Sequence, residues 1–282
     1  LSMIAENQNS KVLVFDSGVG GLTVFHALLE QIPGLEVIFV SDNAGFPYGT
    51  RTEYSLIGRV HRVLEQLIIK FSPDLVVVAC NSASTVALPS LREKYDIPFV
   101  GVVPAIKPAA ELSESGHIAM LATPATVSRD YTRQLIADFA PDKEVMLLGS
   151  TELVELAEDK VRGISPDSDR LKAILEPLLQ NPKADQLDTV VLACTHFPLL
   201  MDELKAEMPH IKHWVESGAA IARRVSTLLP QQGQAKQGQE LTGKSLHQAW
   251  LTGDDANINA LKAYLVNLNC DHLQIISIDC HD

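Results

Sequence analysis

Two stretches of the chain end in the same way. Leu75-Val76-Val77-Val78-Ala79-Cys80-Asn81-Ser82 and Thr189-Val190-Val191-Leu192-Ala193-Cys194-Thr195-His196 each run through apolar, mostly β-branched residues to Ala-Cys and then a small polar residue. A short unbroken apolar run predicts a strand buried on both faces, as in a parallel sheet covered by helices. Ligands of such sheets bind outside the carboxyl ends of the strands. Cys80 and Cys194 are therefore expected where an α/β protein does its chemistry. Two equivalent thiols, delivered by two similar units, suit a reaction that is itself nearly symmetric.

The remainder of the chain alternates in the same manner. Lys11 to Phe15 reads as a strand, Asp16-Ser17-Gly18-Val19-Gly20-Gly21 as a glycine turn, and Leu22 to Leu29 as a helix. Strands at 38–40 and 98–103 and helices at 53–70 and 81–95 complete a first series, with 44–52 as a loop rich in turn residues. A second series follows, with strands at 117–121 and 144–148, helices at 128–139, 151–160 and 168–180, and the second cysteine strand. A helix at 219–229, a strand at 247–252, a helix at 254–268 and a strand at 273–278 close the chain. The predicted fold is α/β: two pseudo-symmetric parallel-sheet domains with the active site in the cleft between them. Residues 11–103 with 217–282 are expected to form the first domain, the C-terminal segment returning to it, and 104–216 the second. The polar low-complexity stretch 230–240 reads as a mobile loop.

A formal net charge of −12 argues against nucleic-acid binding, which needs a basic face. It leaves small anionic substrates open, because a pocket can be locally positive. No stretch approaches the ~18 apolar residues of a membrane span. Residues 1–10 lack the charged head and apolar centre of a signal peptide, and Leu1-Ser2 ahead of Met3 reads as an addition, so a cytoplasmic location is expected. None of the four cysteines, Cys80, Cys194, Cys270 and Cys280, lies in a C-x-x-C pair, so neither a metal site nor a disulfide framework is predicted.

Free cysteines are usually small buried hydrophobes. Cys80 and Cys194 depart from that background because each falls at a strand end, before a polar residue that opens a helix. A helix amino end stabilises a thiolate and is expected to lower its pKa. Cys270 and Cys280 lack this context. Asp16 is either a helix cap or a carboxylate that orients a thiol or the substrate amine, and Asp42 has the same two readings. His196, two residues after Cys194, is either a polar cap or a general acid/base partner of that thiol. Ser17, Asn81, Ser82, Thr123, Thr126 and Thr195 are strand-end hydrogen-bonding residues that, with backbone N–H groups, could hold two carboxylates and an ammonium.

Two glycine patterns tempt. Gly238-x-x-x-x-Gly243-Lys244-Ser245 matches a phosphate loop by letter, but a glutamine-rich stretch precedes it where a strand is needed, and it reads as coincidence. Gly18-Val19-Gly20-Gly21 is either a turn that docks a helix on the sheet or a backbone cradle for a small carboxylate.

Asp-Ser-Gly-Val-Gly-Gly-Leu-Thr-Val (16–24), Pro-Tyr-Gly (47–49), Ala-Cys-Asn-Ser-Ala-Ser (79–84) and Ala-Cys-Thr-His-Phe-Pro-Leu (193–199) together resemble bacterial glutamate racemases, in matching order from about residue 11 to about 229. The resemblance implies a cofactor-independent racemase that interconverts L- and D-glutamate and supplies D-glutamate for the cell wall. It assigns Cys80 to D-glutamate and Cys194 to L-glutamate, with Asp16 and His196 assisting. It implies substrate contacts at Asp16, Ser17, Tyr48, Gly49, Asn81, Ser82, Thr195 and His196; Ser82 stands where the family usually has Thr and keeps the hydroxyl. It also implies an assisting glutamate within Thr151 to Lys160, for which Glu158 is chosen over Glu152 and Glu155. Gly101 to Ala109 resembles a racemase subgroup activated by a peptidoglycan nucleotide precursor, UDP-MurNAc-L-alanine. That implies activator contacts at Val102, Val103, Pro104, Ala105, Ile106 and Lys107, and a Pro-bounded hinge is compatible with the same segment. A monomer or homodimer is expected. The rival readings are a related two-cysteine racemase acting on aspartate, a dithiol redox protein using Cys80 and Cys194, and a small-anion-binding module with inert thiols.

Overall fold

The computed structural model describes residues 9–229 and 246–279. The loop predicted at 230–240, the phosphate-loop look-alike at 238–245 and Cys280 lie outside the described residues. The first series is β1 (Lys11–Asp16), α1 (Leu22–Gln31), β2 (Glu36–Ser41), α2 (Glu53–Phe71), β3 (Leu75–Val78), α3 (Asn81–Lys94) and β4 (Phe99–Gly101). Then come α4 (Ile106–Leu112), β5 (His117–Ala122), α5 (Pro124–Ser128), α6 (Asp130–Phe139), β6 (Glu144–Gly149), α7 (Glu152–Val161), α8 (Ser168–Leu179), β7 (Thr189–Leu192), α9 (Met201–Glu207) and β8 (His213–Val215). The last elements are α10 (Gly218–Leu228), β9 (Gln248–Leu251), α11 (Ile258–Val266) and β10 (His272–Ile275).

Among the described residues the strands form two wholly parallel sheets, ordered β10-β9-β2-β1-β3-β4 and β6-β5-β7-β8. The first four strands of each series repeat one topology, 2-1-3-4 and 6-5-7-8. In both, the order reverses beside the first strand, and the third strand ends in Ala-Cys. Such a reversal opens a crevice at the strand ends, where ligands bind. β9 and β10 extend the first sheet beyond β2.

Helices cover both faces of each sheet. Alternation along β1 sends Val12 and Val14 into one core and Leu13 and Phe15 into the other. Along β5, Ala119 and Leu121 face one core and Ile118 and Met120 the other. Each fully buried Val or Leu contributes about 1.5–3 kcal/mol, which adds to the ladders that pair β3 with β1 and β4, and β7 with β5 and β8. Local chemistry sets the helix ends. Thr52 caps α2 by accepting from Ser55 N–H at 3.3 Å, and that helix stops at Ser72 in the left-handed region, φ 45°. Thr123 caps α5, whose first residue is Pro124.

Three expectations change. The hinge expected after β4 contains a helix, α4, whose Ile106 and Ala109 are buried against the second sheet. The helix expected at 128–139 is α6, which begins at Asp130, and a separate short helix, α5, precedes it. Cys80 is followed at once by α3, but Cys194 is followed by a 3-10 turn over Phe197–Leu200, where Pro198 supplies no N–H for a regular first turn.

Candidate active site

The two thiols line one cavity. Ser17, Tyr48, Gly49, Asn81, Ser82, Thr123, Thr195 and His196 line it too, with Phe46, Pro47, Thr151 and Val154. β3 and β7 deliver Cys80 and Cys194 from equivalent strand ends, and both thiols are free and buried. No lysine and no arginine lines the cavity among the described residues, and no group of three or more His, Cys, Asp or Glu among them could hold a metal ion.

The surroundings of the two thiols differ. Cys194 Sγ lies 3.7 Å from His196 Nδ1, and His196 Nε2 lies 2.6 Å from Glu158 Oε1. Burial alone would depress His196, but its bonds to Cys194 and Glu158 outweigh that and hold it well above the usual histidine range. Burial likewise pushes Glu158 up, yet His196 and Arg162 together hold it below the usual carboxylate range. An ionised Glu158 accepts a hydrogen bond from Nε2–H, which leaves Nδ1 to face the thiol. Gly20 N–H, 3.3 Å from the same Nε2, cannot then donate to it. Cys194, His196 and Glu158 form a thiol–imidazole–carboxylate series.

Among the described residues Cys80 has no imidazole as its hydrogen-bond partner. Its Sγ donates to Ser17 Oγ at 3.7 Å. Burial pushes this thiol far up, the negative charge of Asp16 adds to the effect, and the Ala83 N–H of the first turn of α3 only partly opposes it. This corrects the expectation that a helix amino end lowers the pKa here. The helix effect is present, but desolvation is larger.

The glycine turn after β1 does hold carboxylates, and they belong to the protein. Val19 N–H donates to Glu158 Oε1 at 2.7 Å, Gly21 N–H to Asp16 Oδ2 at 2.6 Å, and Ser17 N–H to Asp16 Oδ1 at 2.7 Å. A Cβ on Gly18 would strike Glu158, and one on Gly20 would strike His196. These two glycines allow the backbone of the turn after β1 to approach Glu158 and His196. Asp16 is buried behind the cavity wall, and Thr195 Oγ1 donates to it at 3.3 Å. Burial raises it to about 6, with His196 and the two N–H donors pulling the other way.

Of the remaining predicted residues, Tyr48 donates its hydroxyl to Asp42, which also takes Arg59 Nε at 2.6 Å, so Asp42 supports the wall rather than lining it. Ser82 and Thr123 share a hydrogen bond of 3.3 Å across the cleft, and Thr126 sits behind them, 3.0 Å from Thr123 Oγ1. Asn81, 3% exposed, has both amide atoms buried without a protein partner. It lines the cavity beside Cys80 and Ser82. Glu152 and Glu155 turn outward to Arg170 and stand apart from the cavity.

Of the segment proposed for an activator, Val102, Pro104 and Ile106 are buried, Ala105 is partly buried, and Val103 and Lys107 are exposed. Ser217 donates to Val103 C=O at 3.0 Å, where both crossings between the sheets meet. Phe46, Pro47, Thr151 and Val154 line the cavity and were not among the predicted contacts; the first two adjoin Tyr48, the other two lie on the segment that carries Glu158, and their residue types alone do not mark them.

The family model described as Asp/Glu/Hydantoin racemase matches residues 13–225. A glutamate racemase of Aliivibrio fischeri is 55% identical over 218 residues, 77% of this chain and 80% of that protein. The crystal structure of Escherichia coli glutamate racemase with L-glutamate and the activator UDP-MurNAc-ala superposes with a TM-score of 0.87 at 43% identity, over 96% of this chain and 99% of that one. A glutamate racemase isoform of Bacillus anthracis gives 0.77 at 26% identity, over 96% and 98%.

Proposed function

The chain belongs to the Asp/Glu/hydantoin racemase family and is an amino-acid racemase, an isomerase; we propose that it interconverts L- and D-glutamate through two thiols, without a cofactor. The observation that carries this reading is the pair of thiols at equivalent strand ends on one cavity. In the L-to-D direction Cys194 thiolate, its proton passed to His196, takes the α-proton from one face. Cys80 gives its thiol proton to the other. The high resting pKa of Cys80 suits a group that waits protonated. In reverse the two exchange roles, and the proton inventory of the free enzyme differs by one proton moved from one thiol to the other.

The α-proton of an amino acid is weakly acidic, so the site must stabilise developing negative charge at the substrate carboxylate. Neutral donors are at hand: the Asn81 amide, the hydroxyls of Ser17, Ser82, Thr123 and Thr195, and backbone N–H groups. Such fixed dipoles act most strongly where water is excluded from the reacting atoms. Residues 11–103 with 217–282, and 104–216, are the two bodies between which the substrate is enclosed. D-glutamate made here serves peptidoglycan synthesis in the cytoplasm. UDP-MurNAc-L-alanine, the activator named for the E. coli relative, is assigned to the crossing around Val102 to Lys107.

The test is circular-dichroic decay of L-glutamate with pure protein and no added cofactor, repeated with UDP-MurNAc-L-alanine and with L-aspartate. Decay with glutamate, with or without the nucleotide, is expected. Decay with aspartate alone, or only after pyridoxal phosphate is added, would overturn the reading.

A further inference from the structure

Behind the Cys194 side of the cavity, Glu158 has its two oxygens divided. Oε1 serves Val19 N–H and His196, and Oε2 accepts from Arg162 Nη1. Arg162 lies one turn further along α7, and its Nη1 also donates to Glu158 C=O at 3.0 Å. The other edge of the guanidinium crosses to the first sheet. Nε and Nη2 donate to Asp255 Oδ2 at 3.0 and 2.7 Å. Both partners are nearly enclosed, the Arg162 side chain 13% and the Asp255 side chain 5% exposed. Arg presents a rigid planar fork, so two carboxylates held on two edges fix its plane.

Asp255 stands on the turn after β9, and that turn is itself anchored to the opposite wall of the site. Thr252 Oγ1 donates to Asp42 at 2.6 Å, and Gly253 N–H donates to Asn43 Oδ1 at 2.8 Å. Asp42 in turn holds Tyr48, which lines the cavity. No residue of 252–255 touches the cavity, yet this turn joins its Tyr48 wall to its His196 wall.

We propose that Arg162 is a positioning residue for the Cys194 half of the site, aimed by Asp255 across the cleft, so that Glu158 holds His196 with Nδ1 on the thiol. The inference rests on the two-thiol reading above. The charged and titratable groups that face the series are Cys194 and His196 after β7, Glu158 on α7, Asp16 at the end of β1 and Asp255 after β9; Lys160 points away, to Glu203 at 2.7 Å. Losing the guanidinium leaves Glu158 buried with one oxygen unpaired. Glu158 then becomes easier to protonate, His196 loses its anionic partner, and the thiolate at 194 loses its imidazolium.

The test reads the thiol and needs no turnover. In a Cys80→Ser background, the rate of iodoacetamide alkylation at Cys194 is followed by peptide mass spectrometry from pH 6 to 10, with a melting curve for each intact variant. Arg162→Gln is expected to move the alkylation midpoint upward by about one pH unit, roughly a tenfold slower reaction at neutral pH. Arg162→Lys, which keeps the charge and loses the fork, should fall between Gln and the parent. Asp255→Asn, a turn residue that leaves α7 intact, should move the midpoint the same way by less. In a Glu158→Gln background the upward Arg162→Gln shift should vanish. Unchanged midpoints in both Arg162→Gln and Asp255→Asn, whatever their melting temperatures, overturn the proposal. So does an upward shift of full size that persists without Glu158. Racemisation that survives Cys80→Ser overturns the two-thiol reading instead, and the two failures are thereby distinguished.

Discussion

The halves of this molecule repeat a topology and differ in how they treat a thiol. In the first, Cys80 sits at the head of a regular helix, near a carboxylate, with a serine hydroxyl as its side-chain partner. In the second, Cys194 precedes a 3-10 turn and is backed by His196 and Glu158. Topology places both sulfurs at the same point of a parallel sheet. Burial and Asp16 then push the Cys80 thiol far up, whereas Cys194 faces an imidazole held by a carboxylate. Duplicated architecture thus delivers two thiols to one cavity, and what stands behind each of them differs.

The comparison breaks most visibly if either thiol is dispensable. Cys80→Ser and Cys194→Ser are each expected to lower kcat/KM by roughly 10³-fold or more, in line with the loss of a positioned acid or base. The equilibrium constant of a racemisation is one, so kcat/KM must fall equally in both directions for each variant. A substitution that slowed only one direction by that measure would contradict racemisation itself.

Asp16 tests the acidic half by stability. Its carboxyl is raised from 3.8 to about 6 in the folded protein. Its folded form therefore binds the proton more tightly, and its contribution to stability is complete below about pH 4 and is lost as the pH rises through about 6. Asp16→Asn does not titrate. Between pH 4 and pH 7 the stability of the variant relative to the parent should therefore rise, by up to about 3 kcal/mol. A pH-independent difference in denaturant unfolding would contradict the raised value.

Glu158 tests the basic half. Glu158→Gln is expected to cost roughly 10²-fold in kcat/KM, whereas Glu155→Gln, which disturbs only a surface pair with Arg170, should stay within about twofold. Equal effects would place the working glutamate elsewhere on α7. The smallest effect belongs to Cys270. It packs in the core beside β9 and α11 and is absent from the cavity, so Cys270→Ala should cost about 1 kcal/mol of stability and leave turnover unchanged.

Much of this was legible in the chain. The runs at 75–80 and 189–194 announce buried parallel strands because their residues are apolar without alternation, and their Ala-Cys ends mark the crevice. The alternation of strand and helix gave the α/β class. Other features depend on contacts that no local pattern encodes. Proline at 104 and 108 reads as a break, yet Pro108 falls in the first turn of α4, where its missing N–H does no harm. The three-residue β8 is too short to signal itself. The raised Cys80 follows from total burial and a neighbour on β1, and both arise only when β1 and β3 pair. Glu158 and His196 are 38 residues apart, and Arg162 and Asp255 are 93 apart. The sequence offers a choice of three glutamates on α7 and no register for choosing among them; the helix face settles which one turns inward. The glycine turn reads either as a turn that docks α1 or as a cradle for a small carboxylate, and its length and spacing do not reveal that the carboxylates it holds belong to Asp16 and Glu158.

The central claim is that separate thiols serve the two faces of one α-carbon. It is tested most directly by following L-glutamate in D2O during the first few per cent of conversion, with mass analysis of each enantiomer separately. Two bases predict deuterium at the α-carbon of the D-glutamate formed and almost none in the remaining L-glutamate, because the face that loses its proton is not the face that gains one. Deuterium accumulating in both enantiomers at comparable rates from the start would show a single base working on both faces, and would contradict the account.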